Sequence, residues 1–219
     1  MNPKAVIFDL DGTILDNEWV YDQAFCYVLK ELGISCEQLN HTPGIGIREN
    51  WEKMAKDLGI TKDPQELSTQ TQDFYLEHLQ EVEVREGVRE TLYALRRGRI
   101  KTILASSNTT AVAIRVLETL KLDQLFDSKT FGDEVEKKKP APDIFLKAMD
   151  KANLLPREVV IIEDSPAGIE AGKSAGAEVI ALKTDWFTRS QLSRADFVAK
   201  NFNYITNLIQ HGSSFREVE

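Results

Sequence analysis

The sequence predicts an α/β protein: a doubly wound parallel sheet with an all-helical segment inserted after its first strand. Three observations predict it. From Gly87 onward, short apolar stretches alternate with stretches of helical period, the pattern of a parallel sheet covered on both faces. Ala5-Val6-Ile7-Phe8 and Val159-Val160-Ile161-Ile162 are unbroken apolar runs, too short for helices and apolar enough for strands buried on both sides. Nothing between Asn17 and Glu86 reads as a strand, so residues 17–86 form a helical cap and residues 1–16 with 87–219 form the core.

In chain order, the opening strand runs into Asp9-Leu10-Asp11-Gly12-Thr13, where glycine permits a sharp turn. Asp16-Asn17 is an N-cap signal for a helix reaching about Leu32, with Gly33 as its stop. Val20, Ala24, Val28 and Leu32 share one face of that helix, with Tyr21 beside it. A loop through His41, Gly44 and Gly46 precedes a second helix, whose periodic residues are Ile47, Trp51, Met54 and Leu58. A third starts at Pro64, a favourable first-turn residue, and reaches about Leu79. The core resumes with a helix from Val88 to Arg97, a strand over 100–105 and a helix from Thr110 to Leu120. A short strand is expected near Phe131, then a helix from Asp143 to Ala152 and the Val159–Ile162 strand. Helix Pro166–Ala175, strand Glu178–Leu182, a last strand over 195–199 and helix Tyr204–Ile209 complete the alternation, and the tail after Gly212 is expected to fray.

A chain of 219 residues can bury a full core. Its net charge of -8 argues against nucleic acid or an anionic membrane as partner, and no apolar run is long enough to span a bilayer. Without a signal-peptide pattern, a cytoplasmic protein is expected, with monomer as the default state. Cys26 and Cys36 have no metal-site spacing and are expected to be reduced thiols.

Three strands end in useful polar groups: Asp9 and Asp11, Ser106-Ser107-Asn108, and Glu163-Asp164. Right-handed crossovers put the C-terminal ends of parallel strands on one edge of the sheet, where open α/β sheets bind ligands. Lys139 lies on a loop that approaches the same edge. This inventory suits phosphoryl transfer. A carboxylate, Asp9, can attack phosphorus to form an aspartyl phosphate. Carboxylates suit Mg²⁺, a hydroxyl with N–H groups at a helix start cradles phosphate, and lysine offsets charge developing on phosphorus. Four carboxylates and a phosphate dianion carry about -6 together, crowding that favours one protonated acid, with Asp11 the natural candidate for acid and base.

These residues carry a family resemblance over nearly the whole chain. Asp9-Leu10-Asp11-Gly12-Thr13, Ser106, Lys139 in Lys-Pro-Ala-Pro-Asp, and Glu163-Asp164-Ser165-Pro166-Ala167-Gly168 stand in the order of four motifs. The chain thus resembles the haloacid dehalogenase-like superfamily, in the branch with a helical cap after the first strand of a Rossmann-like core. The resemblance implies a first strand flanked by the Ser106 strand and the Asp164 strand. It implies Asp9 as nucleophile and metal ligand, and Asp11 as acid/base that also offers a backbone carbonyl to Mg²⁺. Ser106 and Lys139 would hold phosphate, with Ser107 and Asn108 as alternative contacts. Asp164 would complete the metal site, with Glu163 as a direct or outer ligand.

Asp11 separates this chain from the dehalogenases, which lack that aspartate, and from phosphonoacetaldehyde hydrolases, which have a small residue there. Leu10 stands where P-type ATPases have lysine. The nearest subgroup implied contains small-metabolite phosphatases such as phosphoglycolate phosphatase, and β-phosphoglucomutases. The mutases carry a cap histidine where this chain has Tyr21, so a phosphatase for a phosphoglycolate-type compound or a sugar phosphate is expected first, a mutase second and a non-catalytic binding protein last. Arg48 is the cap's candidate for a substrate carboxylate or phosphate.

Overall fold

The computed structural model describes residues 3–211, so the expectation for the tail after Gly212 lies outside the described residues. The elements in order are β1 (Ala5–Phe8), β2 (Leu15–Asp16), α1 (Glu18–Glu31), α2 (Ile47–Leu58), α3 (Pro64–Glu77), β3 (Glu83–Val84), α4 (Val88–Arg97) and β4 (Lys101–Ser106). They continue with α5 (Thr110–Thr119), β5 (Ser128–Phe131), α6 (Asp143–Ala152), β6 (Val159–Glu163), α7 (Pro166–Ser174), β7 (Glu178–Leu182), β8 (Phe197–Ala199) and α8 (Phe202–His211).

Six strands form one parallel sheet in the order β5-β4-β1-β6-β7-β8, which places β1 between the Ser106 strand and the Asp164 strand, as the resemblance implies. Alternate residues of each strand feed opposite faces. Val6, Phe8, Leu104, Val160 and Ile162 join the larger core with residues of α4, α5 and α8. Ala5, Ile7, Ile103, Ala105 and Ile161 pack on the other face with α6 and α7. The apolar strands read as doubly buried because they are; each fully buried Val, Leu, Ile or Phe side chain contributes about 1.5–3 kcal/mol.

The helices α1, α2 and α3 pack on one another above the C-terminal edge of the sheet. Trp51 on α2 lies against Phe25 of α1, with ring centroids 5.3 Å apart, and its Nε1 donates to Thr71 Oγ1 of α3 at 2.8 Å. Their apolar residues belong to the same continuous cluster as one face of the sheet.

Four sequence expectations change. A strand does exist before Glu86: β3 pairs antiparallel with β2, Leu15 opposite Val84 and Asp16 opposite Glu83. Two-residue strands carry no readable period, which is why the sequence hides them. Arg85 fastens this crossing by donating to Gly12 O at 2.8 Å and to Asp16 Oδ1 at 3.0 Å. Asn17 stands at the start of α1, yet its side chain makes no capping bond and turns toward Asp11 in the loop after β1. The third helix ends at Glu77, followed by a short 3₁₀ turn at Leu79–Glu81. Finally, Cys26 and Cys36 are joined in a disulfide rather than reduced, because the chain reverses after α1 and brings their Cα atoms within 5.0 Å. Free thiols therefore no longer support the expected compartment. Among the described residues no helix is long and apolar enough to cross a membrane.

Candidate active site

Asp9 prolongs the ladder of β1, its N–H donating to Ile162 O on β6 at 3.0 Å. The neighbouring strand delivers Glu163 and Asp164 to the same level. Carboxylate oxygens of Asp9, Glu163 and Asp164, all buried, lie within 4.8 Å of one another. Lys139 Nζ bridges two of them, at 2.5 Å from Asp9 Oδ1 and 2.6 Å from Glu163 Oε1. Glu163 Oε2 accepts from the N–H groups of Asp164 and Ser165 and from the Ser165 hydroxyl, each at 3.0 Å. Both Glu163 oxygens are thus engaged within the protein. Thr13 Oγ1 donates to Asp164 Oδ1 at 2.8 Å. Among the described residues, Oδ2 of Asp9 and Oδ2 of Asp164 take no hydrogen bond and remain available to a ligand.

Two glycines make this crowding feasible. Gly12 has φ +76° in the turn after Asp11, and a Cβ there would meet Asp164 Oδ2 at 2.4 Å. A Cβ at Gly168, in the first turn of α7, would overlap the Glu163 carboxylate.

The electrostatics follow. Burial holds Asp9 above the usual carboxylate range; repulsion from Glu163 and Asp11 adds to this, and Lys139 works against it. Burial likewise raises Asp164 well above its ordinary value, reinforced by Glu163 and Asp9. Lys139 is raised by Asp9 and Glu163, which together outweigh the burial that would lower it. A single ammonium leaves this oxygen cluster with uncompensated negative charge. Hard carboxylate donors with a charge deficit are what Mg²⁺ requires, so the residues present fit such an ion.

Asp11 sits beside this cluster and is held at both oxygens. Asn17 Nδ2 donates to Oδ1 at 2.6 Å, the Tyr21 hydroxyl to Oδ1 at 3.3 Å, and Asn108 Nδ2 to Oδ2 at 2.8 Å. Asn17 also accepts the Gly12 N–H at 3.0 Å and donates to the Tyr75 hydroxyl at 2.8 Å, while the rings of Tyr21 and Tyr75 stack at 4.3 Å. Burial raises Asp11 to about 6, opposed by the Asn17 and Tyr21 hydrogen bonds. Of these partners, Asn108 is a site residue read from the sequence. Thr13 reads there only as a turn residue and Asn17 only as a helix start, while Tyr21 reads as standing beside the apolar face of the first cap helix, at the place of the mutases' histidine.

A cavity of about 450 Å³ opens above, between the sheet edge and α1–α3. Asp9, Asp11, Lys139, Glu163, Ser107 and Asn108 line its floor, and Arg48 its far wall. Ser106 is fully buried, its Oγ accepting the Asn108 N–H at 3.2 Å, and it does not line the cavity. Arg48 is half out in solvent and paired with Glu52 at 3.0 Å. On the wall nearest α1, His41 lies between two carboxylates, Nδ1 at 2.9 Å from Asp22 and Nε2 at 3.5 Å from Glu18. Burial alone would lower the His41 pKa, but its hydrogen bonds to Asp22 and Glu18 carry it to about 9. Its ring stacks on Phe25 at 5.0 Å and meets Trp186, from the loop after β7, at 6.2 Å.

The family model for haloacid dehalogenase-like hydrolases matches residues 6–182, from β1 to the end of β7. The chain belongs to the haloacid dehalogenase-like hydrolase family. This hydrolase is 35% identical over 188 residues to a phosphorylated carbohydrates phosphatase of Thermotoga maritima, covering 81% of this chain and 83% of that protein. It is 31% identical over 179 residues to a phosphoglycolate phosphatase of Aquifex aeolicus, covering 80% and 82%. Among solved structures it superposes on a β-phosphoglucomutase of Clostridium difficile with a TM-score of 0.80 at 25% identity, over 93% and 92% of the two chains.

Proposed function

We propose that this haloacid dehalogenase-like hydrolase is a Mg²⁺-dependent phosphatase for a small phosphorylated metabolite, working through an aspartyl phosphate on Asp9. In this reading residues 1–16 and 87–219 are the catalytic core, and residues 17–86 are a cap that shapes specificity. The observation that carries it is the pairing, on one cavity floor, of two differently held aspartates. Asp9 keeps an oxygen free beside Lys139, and Asp11 is fixed at both oxygens on the leaving-group side.

Asp9 Oδ2 attacks phosphorus and the bond to the leaving oxygen breaks, with the Asp11 proton passing to that oxygen. Asp11, now a carboxylate, takes a proton from water; the water oxygen attacks phosphorus and releases Asp9 and phosphate. Desolvation at Asp11 keeps it within reach of both protonation states near neutral pH. Lys139 offsets charge on the transferring phosphoryl group, which Ser107 and Asn108 help to seat while Ser106 props their loop. Asp9, Asp164 and the backbone carbonyl of Asp11 would hold Mg²⁺, with Glu163 orienting Lys139 and the loop behind them. When bound, the ion neutralises the phosphoryl oxygens.

The likeness to a β-phosphoglucomutase structure favours a second reading, a sugar-phosphate mutase. Tyr21 at the place of the mutases' histidine counts against it. Phosphate release from a panel of phosphorylated metabolites, with Mg²⁺ or with chelator, for wild type and Asp9→Asn, tests the assignment. Mg²⁺-dependent release lost in Asp9→Asn is expected. Isomerisation of a hexose phosphate without free phosphate selects the mutase, and an unimpaired Asp9→Asn sinks both.

A further inference from the structure

We propose that Glu18, held in place by His41, is a specificity-determining residue that accepts hydrogen bonds from hydroxyl groups of the leaving group, so that phosphorylated sugars and polyols are preferred over phosphorylated carboxylic acids. The inference rests on the phosphatase reading above and narrows its substrate class.

Glu18 lies in the first turn of α1 and is 5% exposed, yet it lines the substrate cavity. A buried carboxylate is expensive unless its charge is balanced and its lone pairs are used. His41 balances it through Oε2. Among the described residues, Oε1 takes no hydrogen bond. The group is also close enough to the chemistry for its negative charge to act on Asp11 and Asp164. A buried acceptor with an unfilled oxygen, beside the acid that protonates the leaving group, calls for a donor on the leaving group. A hydroxyl supplies one; a carboxylate brings only repulsion.

The rest of the cavity points the same way. Its cations are already engaged: Arg48 by Glu52, Lys139 by Asp9 and Glu163, His41 by Glu18 and Asp22, and Lys138 on the Gly132 carbonyl at the core end. Around Arg48 the wall adds Glu49 and the neutral Ser68 and Gln72. A carboxylate placed against Glu18 would meet its negative charge with the nearby imidazole already shared between Glu18 and Asp22, whereas hydroxyls would find an acceptor there. His41 acts through Glu18 and is a positioning residue: the loop that carries it is braced by Asn50, which accepts from Thr42 N at 2.7 Å and donates to Thr42 O at 3.1 Å.

The test compares kcat/KM for a hexose 6-phosphate, glycerol 1-phosphate, phosphoglycolate and p-nitrophenyl phosphate, with Mg²⁺, for the full-length wild type, Glu18→Gln and His41→Gln. Wild type is expected to favour the two hydroxyl-bearing substrates over phosphoglycolate at least tenfold. Glu18→Gln should shrink that ratio about tenfold, raising phosphoglycolate as the repulsion goes and lowering the sugar phosphate through KM. His41→Gln should raise KM for the hydroxyl-bearing substrates more than for p-nitrophenyl phosphate. Equal or better use of phosphoglycolate by wild type overturns the inference without recourse to variants. So does a Glu18→Gln protein in which all substrates fall together, the mark of a structural role. Wild type inactive on all four substrates with Mg²⁺ would overturn the phosphatase reading and this inference with it. Activity on any of them with a ratio unmoved by Glu18→Gln overturns the inference alone.

Discussion

Asn108 Nδ2 donates to Oδ2 of Asp11 at 2.8 Å, joining the loop after β4 to the loop after β1 across two adjacent strand ends. With Asn17 on the other oxygen, this bond fixes the plane of the Asp11 carboxylate. A hydrogen bond to a charged group contributes about 1.5–3 kcal/mol, so Asn108→Ala should lower kcat/KM by roughly 10- to 100-fold. Steady-state kinetics on p-nitrophenyl phosphate check this, and a variant within twofold of wild type would refute the orienting role.

Asp164 is held protonation-prone by burial and by Glu163 and Asp9. A carboxylate with a raised pKa costs stability at neutral pH, and an amide of the same shape removes that cost. Asp164→Asn should therefore melt higher than wild type in chelator, while losing the rise in Tm that Mg²⁺ gives wild type. Thermal melts with Mg²⁺ and with chelator decide it; a retained Mg²⁺ shift would remove Asp164 from the ligand set.

His41 gives a pH signature. Its folded pKa of about 9 stands above the unfolded value of 6.5, so its stabilising effect is complete below about 6.5 and fades as pH rises through 9. That effect is on the order of 3 kcal/mol. The stability gap between wild type and His41→Gln should shrink by that order between pH 6 and pH 10. Urea titrations at both values measure it, and a gap independent of pH would mean that His41 is neutral in the fold.

The disulfide between Cys26 and Cys36 closes a short loop from α1 to the segment leading into His41. Closing a loop of this size is worth about 2–3 kcal/mol in the chain-entropy model. Reductant should lower the Tm of wild type, and Cys26→Ser should start from that lower value and ignore reductant. Two titratable thiols in the untreated, unfolded protein would show that the bond does not form.

Much of the architecture is legible in order of sequence because its causes are local. Unbroken apolar runs at Ala5–Phe8 and Val159–Ile162 announce doubly buried strands, and the right-handed crossover rule then carries Asp9, Asn108 and Asp164 to one sheet edge. Residues that act through partners distant in sequence are not legible this way. Tyr75 reaches the Asp11 loop through Asn17, 58 positions earlier, and His41 meets Trp186 across the seam between the helices and the sheet. Neither carries a motif.

The sequence by itself determined the order of strands and helices, the carboxylates at the strand ends and the family they resemble, since periodicity and motif spacing are properties of the chain alone. Only the tertiary structure decided how those groups are occupied. It buried Ser106 behind Ser107 and Asn108, engaged both oxygens of Glu163 within the protein, closed the Cys26–Cys36 bond and set the buried Glu18 in the cavity wall. The physical reason is that charge balance and hydrogen-bond saturation depend on which distant groups share a desolvated volume, and packing alone assigns those neighbours.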